Sequence, residues 1–181
     1  MLARLVATAL VVLAVATSAS ATGQKENLQV FRDVQRQVLQ YPHFTIFDSV
    51  SAQVENGTVT LVGKVTMPYK KNDIERRVSK LPSVERLVNK IEVLPVSQFD
   101  DDLRFRIARA IYSNSNFRPF ATMVNPPIHV IVERGRVTLE GVVNSEVDRM
   151  LARSIASNFL AFGVKNDLKT EAEAKAELER L

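Results

Sequence analysis

The sequence of 181 residues contains no cysteine, no tryptophan and only two histidines. Without cysteine no disulfide can cross-link a core, so stability must come from burial of the apolar residues, which make up 46% of the chain. The same absence excludes thiol nucleophiles, cysteine-bound metals and attachment through a lipidated cysteine. His43 and His129 are far apart in sequence and form no cluster of metal ligands.

Long apolar stretches are also scarce, because the one extended run covers residues 5–16. This is shorter than the roughly 20 residues that a membrane-spanning helix needs. Arg4 precedes the run and Ala19-Ser20-Ala21 follows it, a pattern that predicts a cleavable signal peptide over residues 1–21, with a retained N-terminal anchor as the alternative. We therefore expect a periplasmic or secreted protein after cleavage near Ala21. An exported chain without disulfides favours a bacterial envelope.

The charge balance is mildly basic, with a formal net charge of +4 that falls to +3 if Arg4 is removed with the leader. Such a balance weakly favours anionic surfaces, for example phospholipid headgroups. Nucleic acid is not an expected partner of an exported protein.

An internal repeat organises the rest of the chain. Residues 55–66 and 133–144 are identical at seven of twelve positions, at an offset of 78. Each stretch contains a turn signal, Asn56-Gly57 in the first copy and Arg134-Gly135 in the second, which predicts a β-hairpin. Counting outward from the turn gives each hairpin one apolar face.

A second pair of glycines, Gly63 and Gly141, lies on that apolar face. We expect the missing side chain to let a helix backbone pack closely against the sheet.

Helical periodicity before and after each hairpin completes the two copies. The fold class predicted is α+β, with two helix-strand-strand-helix-strand modules. Each would be a three-stranded mixed sheet covered on one face by two helices, with the last strand parallel to its neighbour. The expected organisation is a first module over 22–95, a second over 96–170 and a charged helical tail over 171–181.

The repeated Val-Thr-Leu-x-Gly-x-Val strand, with Gly63 and Gly141 and the turn glycines Gly57 and Gly135, resembles a tandem pair of BON domains (the bacterial osmotically inducible protein Y and nodulation domain family). The strand around Asn89 adds to the resemblance. The resemblance implies a periplasmic protein with a phospholipid-binding or envelope-maintenance role. It transfers no catalytic residue, and the glycines carry over as structural residues.

The sequence offers little for catalysis. Neither a Gly-rich phosphate loop nor a plausible nucleophile with a neighbouring base is present. We expect His129 to form an exposed cross-strand pair with Glu140. The run Asp100–Asp102 is expected at a helix start, where it would cap the helix and interact favourably with its dipole. The prediction is a protein without enzymatic activity, cofactor or metal.

The candidate lipid-binding residues combine arginines on a helix of the second copy with aromatic residues in the following loop. Apolar side chains that enter a headgroup layer beside arginines that hold phosphates would make a peripheral membrane contact. In the alternative, the loop aromatics fill the core and the arginines form a solvated face. The candidates are Arg104, Arg106, Arg109, Phe117, Arg118, Phe120 and Met123.

A second basic region lies on the predicted helix after the first hairpin and is a further candidate binding surface. It is interpreted as an ordinary solvated helix face. Its residues are Lys70, Lys71, Arg76, Arg77 and Lys80.

Two functional hypotheses follow from these features. The first is an exported, non-enzymatic envelope protein that binds anionic phospholipid at a membrane surface, with a role in envelope maintenance or stress tolerance. The second is a protein-interaction module that docks onto another envelope component through its exposed sheet face or edges. Binding to lipid should weaken at high salt, whereas edge pairing should persist.

Overall fold

The structure, a computed structural model, describes residues 16–55 and 57–180. Most of the predicted signal peptide therefore lies outside the described residues, and residues 16–21 form the start of the first helix. Within the described part of the chain, no helix has both the length and the apolar character needed to cross a membrane.

The chain folds as two copies of one unit, as the repeat predicts. Module 1 contains α1, β1, β2, α2 and β3; module 2 contains α3, a short 3-10 helix, β4, β5, α4 and β6, and a last helix, α5, follows. The bounds are α1 Ala16–Leu39, β1 Ser49–Glu55, β2 Thr58–Val65, α2 Pro68–Val78, β3 Arg86–Val93, α3 Gln98–Ser113, the 3-10 helix Arg118–Thr122, β4 Ile128–Glu133, β5 Arg136–Val143, α4 Glu146–Ser157, β6 Gly163–Thr170 and α5 Glu171–Leu178.

Each module has a three-stranded mixed sheet, in the order β1-β2-β3 or β4-β5-β6. The first two strands pair antiparallel and the third runs parallel to the second, as a crossover helix requires. The registers are equivalent, with Ala52 opposite Leu61 in module 1 and Val130 opposite Leu139 in module 2. The predicted α+β architecture is confirmed.

The core of each module lies between its sheet and its two helices. The inner side chains of the strands meet the apolar stripes of both helices, and burial of this surface is the main stabilising contribution. Fully buried members include Val34, Leu61 and Ile74 in module 1, and Ile107, Leu139 and Ala152 in module 2.

The repeated strand glycines have a different role from the one expected. Gly63 and Gly141 have φ angles of +128° and +120°, a region that side chains other than glycine rarely occupy. A Cβ there would overlap the carbonyl oxygen of Ser49 or Pro127, on the chain leading into the neighbouring strand. The expectation of a close helix backbone is therefore wrong, because these glycines let two strands approach each other.

The two modules contact each other through a loop of module 1. Val130 in β4 donates its backbone N–H to the carbonyl of Ile46, at 2.7 Å. Ile46 and Phe47 pack against the core of module 2, and the Phe47 ring meets the Phe105 ring edge-on at 4.7 Å. We call residues 44–48 the docking loop.

Polar pairs extend this contact across the outward face of the module 2 sheet. Ser49 donates its hydroxyl to Glu140 at 2.5 Å, and Lys64 pairs with Glu133. Ile131, which points away from the helices of module 2, is only 3% exposed. Module 1 thus covers part of a sheet face that was expected to be open.

His129 also lies in this contact and is half-buried. It faces Glu140 in the predicted register, but its Nδ1 is 2.6 Å from the carbonyl oxygen of Asp48, and its ring packs on Phe44. Burial lowers the pKa of His129, while the Asp48 carbonyl and Glu140 oppose that shift. The expected exposed pair is therefore wrong, because the docking loop covers the histidine.

Lys70 is buried, although it was assigned to a solvated helix face. Its Nζ lies 2.6 Å from the carboxylate of Asp48, which is fully buried. The same carboxylate accepts hydrogen bonds from the backbone and hydroxyl groups of Thr45 and Thr66. A buried carboxylate needs such partners, and together they fix the end of the docking loop.

The tail forms α5 and lies against module 2. Thr170 and Glu173 make reciprocal capping hydrogen bonds at its start. Arg149 in α4 pairs with Glu173 at 2.8 Å. At the other end, Gln24 of α1 donates to the carbonyl of Glu179 at 2.9 Å, so the tail reaches the first helix of module 1.

Candidate functional site

The predicted lipid-binding residues do not form one surface. Phe117 is completely buried in the core of module 2, and Arg104 is only 4% exposed. The Arg104 guanidinium donates to the carbonyl of Val132 at 3.2 Å and pairs with Asp101 at 3.1 Å. These two residues are therefore corrected to structural roles, because both face the inside of the module.

The other predicted residues are more accessible but spread out. Phe120 is half-buried and stacks on Phe117, whereas Arg118 and Met123 are exposed beyond the C-terminal end of α3. Arg106 and Arg109 are exposed on the outer face of α3, where they line a shallow depression with Asp102 and Phe105.

A different apolar surface lies at the opposite end of α3. Leu160 and Phe162 are 82% and 79% exposed in the loop between α4 and β6, and Phe99 is also exposed. The backbone N–H of Phe162 donates to the Gly135 carbonyl at 2.8 Å. The rings of Phe162 and Phe99 lie over Gly135, close enough that a Cβ there would be crowded.

We call this surface the module 2 tip: Phe99, Arg134, Gly135, Leu160 and Phe162. Exposed apolar groups clustered in this way are unusual on a protein surface and mark interaction sites.

A buried carboxylate fixes the hairpin turn at the tip. Asp100 is buried, and its two oxygens accept the backbone N–H groups of Arg134 and Gly135 at 2.8 and 2.7 Å. These bonds hold Arg134 at a φ of +50°, which is uncommon outside glycine. The expected interaction with the helix dipole fits, since Asp100 and Asp101 lie in the first turn of α3. The expected cap is corrected, because Ser97 is the residue that caps α3, while Asp100 binds the turn.

Arginines surround the apolar part of the tip. Arg134 and Arg136 are exposed on either side of the turn glycine. The Arg106 guanidinium lies 5.4 Å from the ring centre of Phe159, the residue before Leu160. The tip therefore presents exposed apolar side chains next to exposed arginines, one of which, Arg106, contacts Phe159.

The corresponding end of module 1 has the opposite character. Glu85 donates its backbone N–H to the Gly57 carbonyl at 3.1 Å, so it occupies the place that Phe162 has in module 2. Its carboxylate group lies over Gly57 as the Phe162 ring lies over Gly135. One fold position thus carries an anion in one module and an aromatic ring in the other.

The sequence contains a signal for the tip in the difference between the two copies. Residues 159–162, Phe-Leu-Ala-Phe, stand where module 1 has 81–85, Leu-Pro-Ser-Val-Glu. Phe159 continues the apolar spacing of α4, but the helix ends at Ser157 and Phe159 belongs to the loop. Comparing the two copies position by position would have shown this apolar loop.

No group of three or more histidine, aspartate or glutamate side chains within residues 16–55 and 57–180 could hold a metal ion.

The fold is a tandem of two α+β modules. A sequence model of the BON domain matches the chain twice, over residues 30–95 and 99–172. The chain therefore belongs to the BON domain family, as a tandem BON-domain protein. BON domains are non-catalytic binding modules associated with the bacterial envelope.

Comparison with known proteins gives no match among curated sequences. Among solved structures, the chain is similar to the C-terminal domain of CdsD, a structural protein of the type III secretion system of Chlamydia trachomatis. The identity is 14% over 77% of this chain and 96% of that one, with a TM-score of 0.28. A second CdsD structure covers 83% of this chain and 97% of its own, with the same identity and TM-score.

Proposed function

We propose that this protein is an exported envelope protein that binds anionic phospholipid at the membrane surface through the module 2 tip, with a role in envelope maintenance or stress tolerance. The observation that carries the proposal is the pair Leu160 and Phe162, both about four-fifths exposed beside the arginines of a fixed turn. Membership of the BON family supports the same class of partner.

The proposed contact uses two effects that act together. Leu160 and Phe162 enter the boundary between headgroups and acyl chains, which removes apolar surface from water. The arginines hold headgroup phosphates, and each basic residue near an anionic surface contributes about 1 kcal/mol. Because Asp100 already fixes the turn, little conformational freedom is lost on binding.

This proposal replaces most of the sequence-based site. Arg106 remains in it, since its guanidinium lies beside the tip. Arg118 and Met123 lie at the far end of α3, a helix about 24 Å long, and cannot share one contact with Phe162. Arg109 and Phe120 are likewise outside the module 2 tip.

Vesicle co-sedimentation tests the proposal. Protein would be mixed at low salt with phosphatidylglycerol vesicles or with neutral phosphatidylcholine vesicles, and we expect retention by the anionic ones alone. The double variant Leu160→Ser/Phe162→Ser should bind at least tenfold more weakly, since burying each side chain is worth about 1.5–3 kcal/mol. Val147→Ser/Met150→Ser, two exposed apolar residues of α4, is the matched control.

Two results would contradict the proposal. One is the absence of retention by anionic vesicles at low salt; the other is an equal loss of binding in the α4 control. Raising the salt should weaken binding, because exposed charges are screened.

A further inference from the structure

The contact between the modules is asymmetric, because one module supplies a docking segment and the other a receiving edge. The docking segment is the docking loop of module 1, in which the Ile46 carbonyl accepts the N–H of Val130. The receiving edge is the outer edge of β4 in module 2. An edge strand has unpaired backbone groups that a second chain segment can satisfy, and here the docking loop does so.

The internal repeat gives each module both kinds of surface. At the offset of 78 residues, Ile46 corresponds to Val124, and Val130 corresponds to Ala52. Ala52 faces Leu61 as Val130 faces Leu139, so its N–H points to the outer edge of β1 in the same way.

Both corresponding surfaces are free in the described part of the chain. Val124 is 96% exposed and Met123 is about half exposed. On β1, Ser51 and Gln53 are exposed, and no described group outside the sheet forms a hydrogen bond with the backbone of residues 50–54. Each molecule therefore has one unused docking segment, around Val124 in module 2, and one unused receiving edge, along β1 in module 1.

We infer that copies of this protein associate head to tail, with the Val124 segment of one copy pairing with the outer edge of β1 in the next. The contact repeats between molecules the one that already joins the two modules. Because the docking segment and the receiving edge are different surfaces, the contact is heterologous and generates open chains or rings rather than a symmetric dimer.

The contact between molecules is weaker than the one within the chain. Asn125 stands where the docking loop has Phe47, and Val142 and Glu55 stand where Lys64 and Glu133 form an ion pair. Within one chain the linker also provides an effective concentration of about millimolar order. Association should accordingly depend on protein concentration.

Sedimentation velocity of the purified protein over a hundredfold range of concentration tests this inference. We expect the weight-average sedimentation coefficient of the wild type to rise beyond that of a dimer. Val124→Asp places a charge in the docking segment at an exposed site, and Ala52→Pro removes the backbone N–H that the receiving edge would donate, at an edge strand, where proline is tolerated. Each variant alone should remain monomeric. Val96→Asp, 98% exposed in the linker, is the matched control and should behave as wild type.

Mixing the two variants provides the sharper test. The Val124→Asp variant keeps an intact receiving edge on β1, and the Ala52→Pro variant keeps an intact docking segment. An equimolar mixture should therefore form dimers and nothing larger. A wild type that stays monomeric throughout, a Val124→Asp variant that associates as the wild type does, or a monomeric mixture of two folded variants would each overturn the inference. Thermal melting establishes that both variants are folded; if Ala52→Pro is not, Val124→Asp alone decides.

Discussion

Phe117 and Phe162 are both phenylalanines in loops of module 2, but the structure places them in opposite environments. Phe117 is completely buried in the core, whereas Phe162 is 79% exposed at the tip. Residue type and loop position therefore do not decide which aromatic side chain is available to a partner. The decisive factor is whether the fold directs the ring inward.

This difference predicts opposite effects of the same substitution. Phe117→Ala should lower the free energy of unfolding by about 3–5 kcal/mol, because it leaves a cavity in the core. Phe162→Ala should change it by less than about 0.5 kcal/mol, as is usual for exposed sites. Urea denaturation followed by circular dichroism measures both. A Phe117→Ala variant as stable as the wild type would show that the loop is not part of the core.

The inward position of Arg104 is indicated by the sequence itself. Positions 100, 103, 104, 107, 108 and 111 recur at helical spacing and form the buried stripe of α3. Arg104 lies on this stripe, so the spacing alone indicates an inward position, whereas Arg106 and Arg109 lie off it. The same spacing indicates an inward position for Asp100 but not its function, because its partners, Arg134 and Gly135, are more than 30 residues away.

At the level of elements, the sequence predicted the hairpins correctly because their pairing is local. A two-residue turn fixes the register, and alternation then fixes which side chains face the core. The contact between β4 and the docking loop depends on the relative placement of two modules, which neither turn chemistry nor periodicity encodes. His129 was for this reason assigned to solvent, although its partner across the strands was predicted correctly.

The position of His129 predicts a pH dependence of stability. Burial lowers its pKa in the folded protein, so the unfolded chain takes up the proton first as the pH falls. The stability associated with neutral His129 is complete above the ordinary pKa of about 6.5 and is lost as the pH falls through the lowered value. The facing carboxylate of Glu140 and the nearby Asp48, which is paired with Lys70, reduce this loss without reversing it.

Denaturation at pH 7.5 and at pH 5 tests this prediction. His129→Gln should show a smaller loss of stability between the two pH values than the wild type. His43→Gln, at the other histidine, should keep the wild-type difference because its side chain is exposed. An unchanged difference in His129→Gln would contradict the assignment.

For the whole molecule, the two modules have different roles despite their common fold. Module 1 has a buried Asp48–Lys70 pair that fixes the docking loop, and it covers part of the module 2 sheet. Module 2 carries the exposed apolar tip, at a position where module 1 has Glu85. The internal repeat gives two similar scaffolds, and single positions such as Glu85 and Phe162 give them different surfaces.

The most direct test of the account uses the absence of tryptophan from the chain. Phe162→Trp places a single fluorescent reporter at the module 2 tip, and Glu85→Trp places one at the equivalent position of module 1. On addition of phosphatidylglycerol vesicles, we expect the emission of Phe162→Trp to shift to shorter wavelength as the ring leaves water, while that of Glu85→Trp stays unchanged. A bound Phe162→Trp protein without a shift, or an equal shift in both variants, would contradict the assignment of membrane contact to module 2.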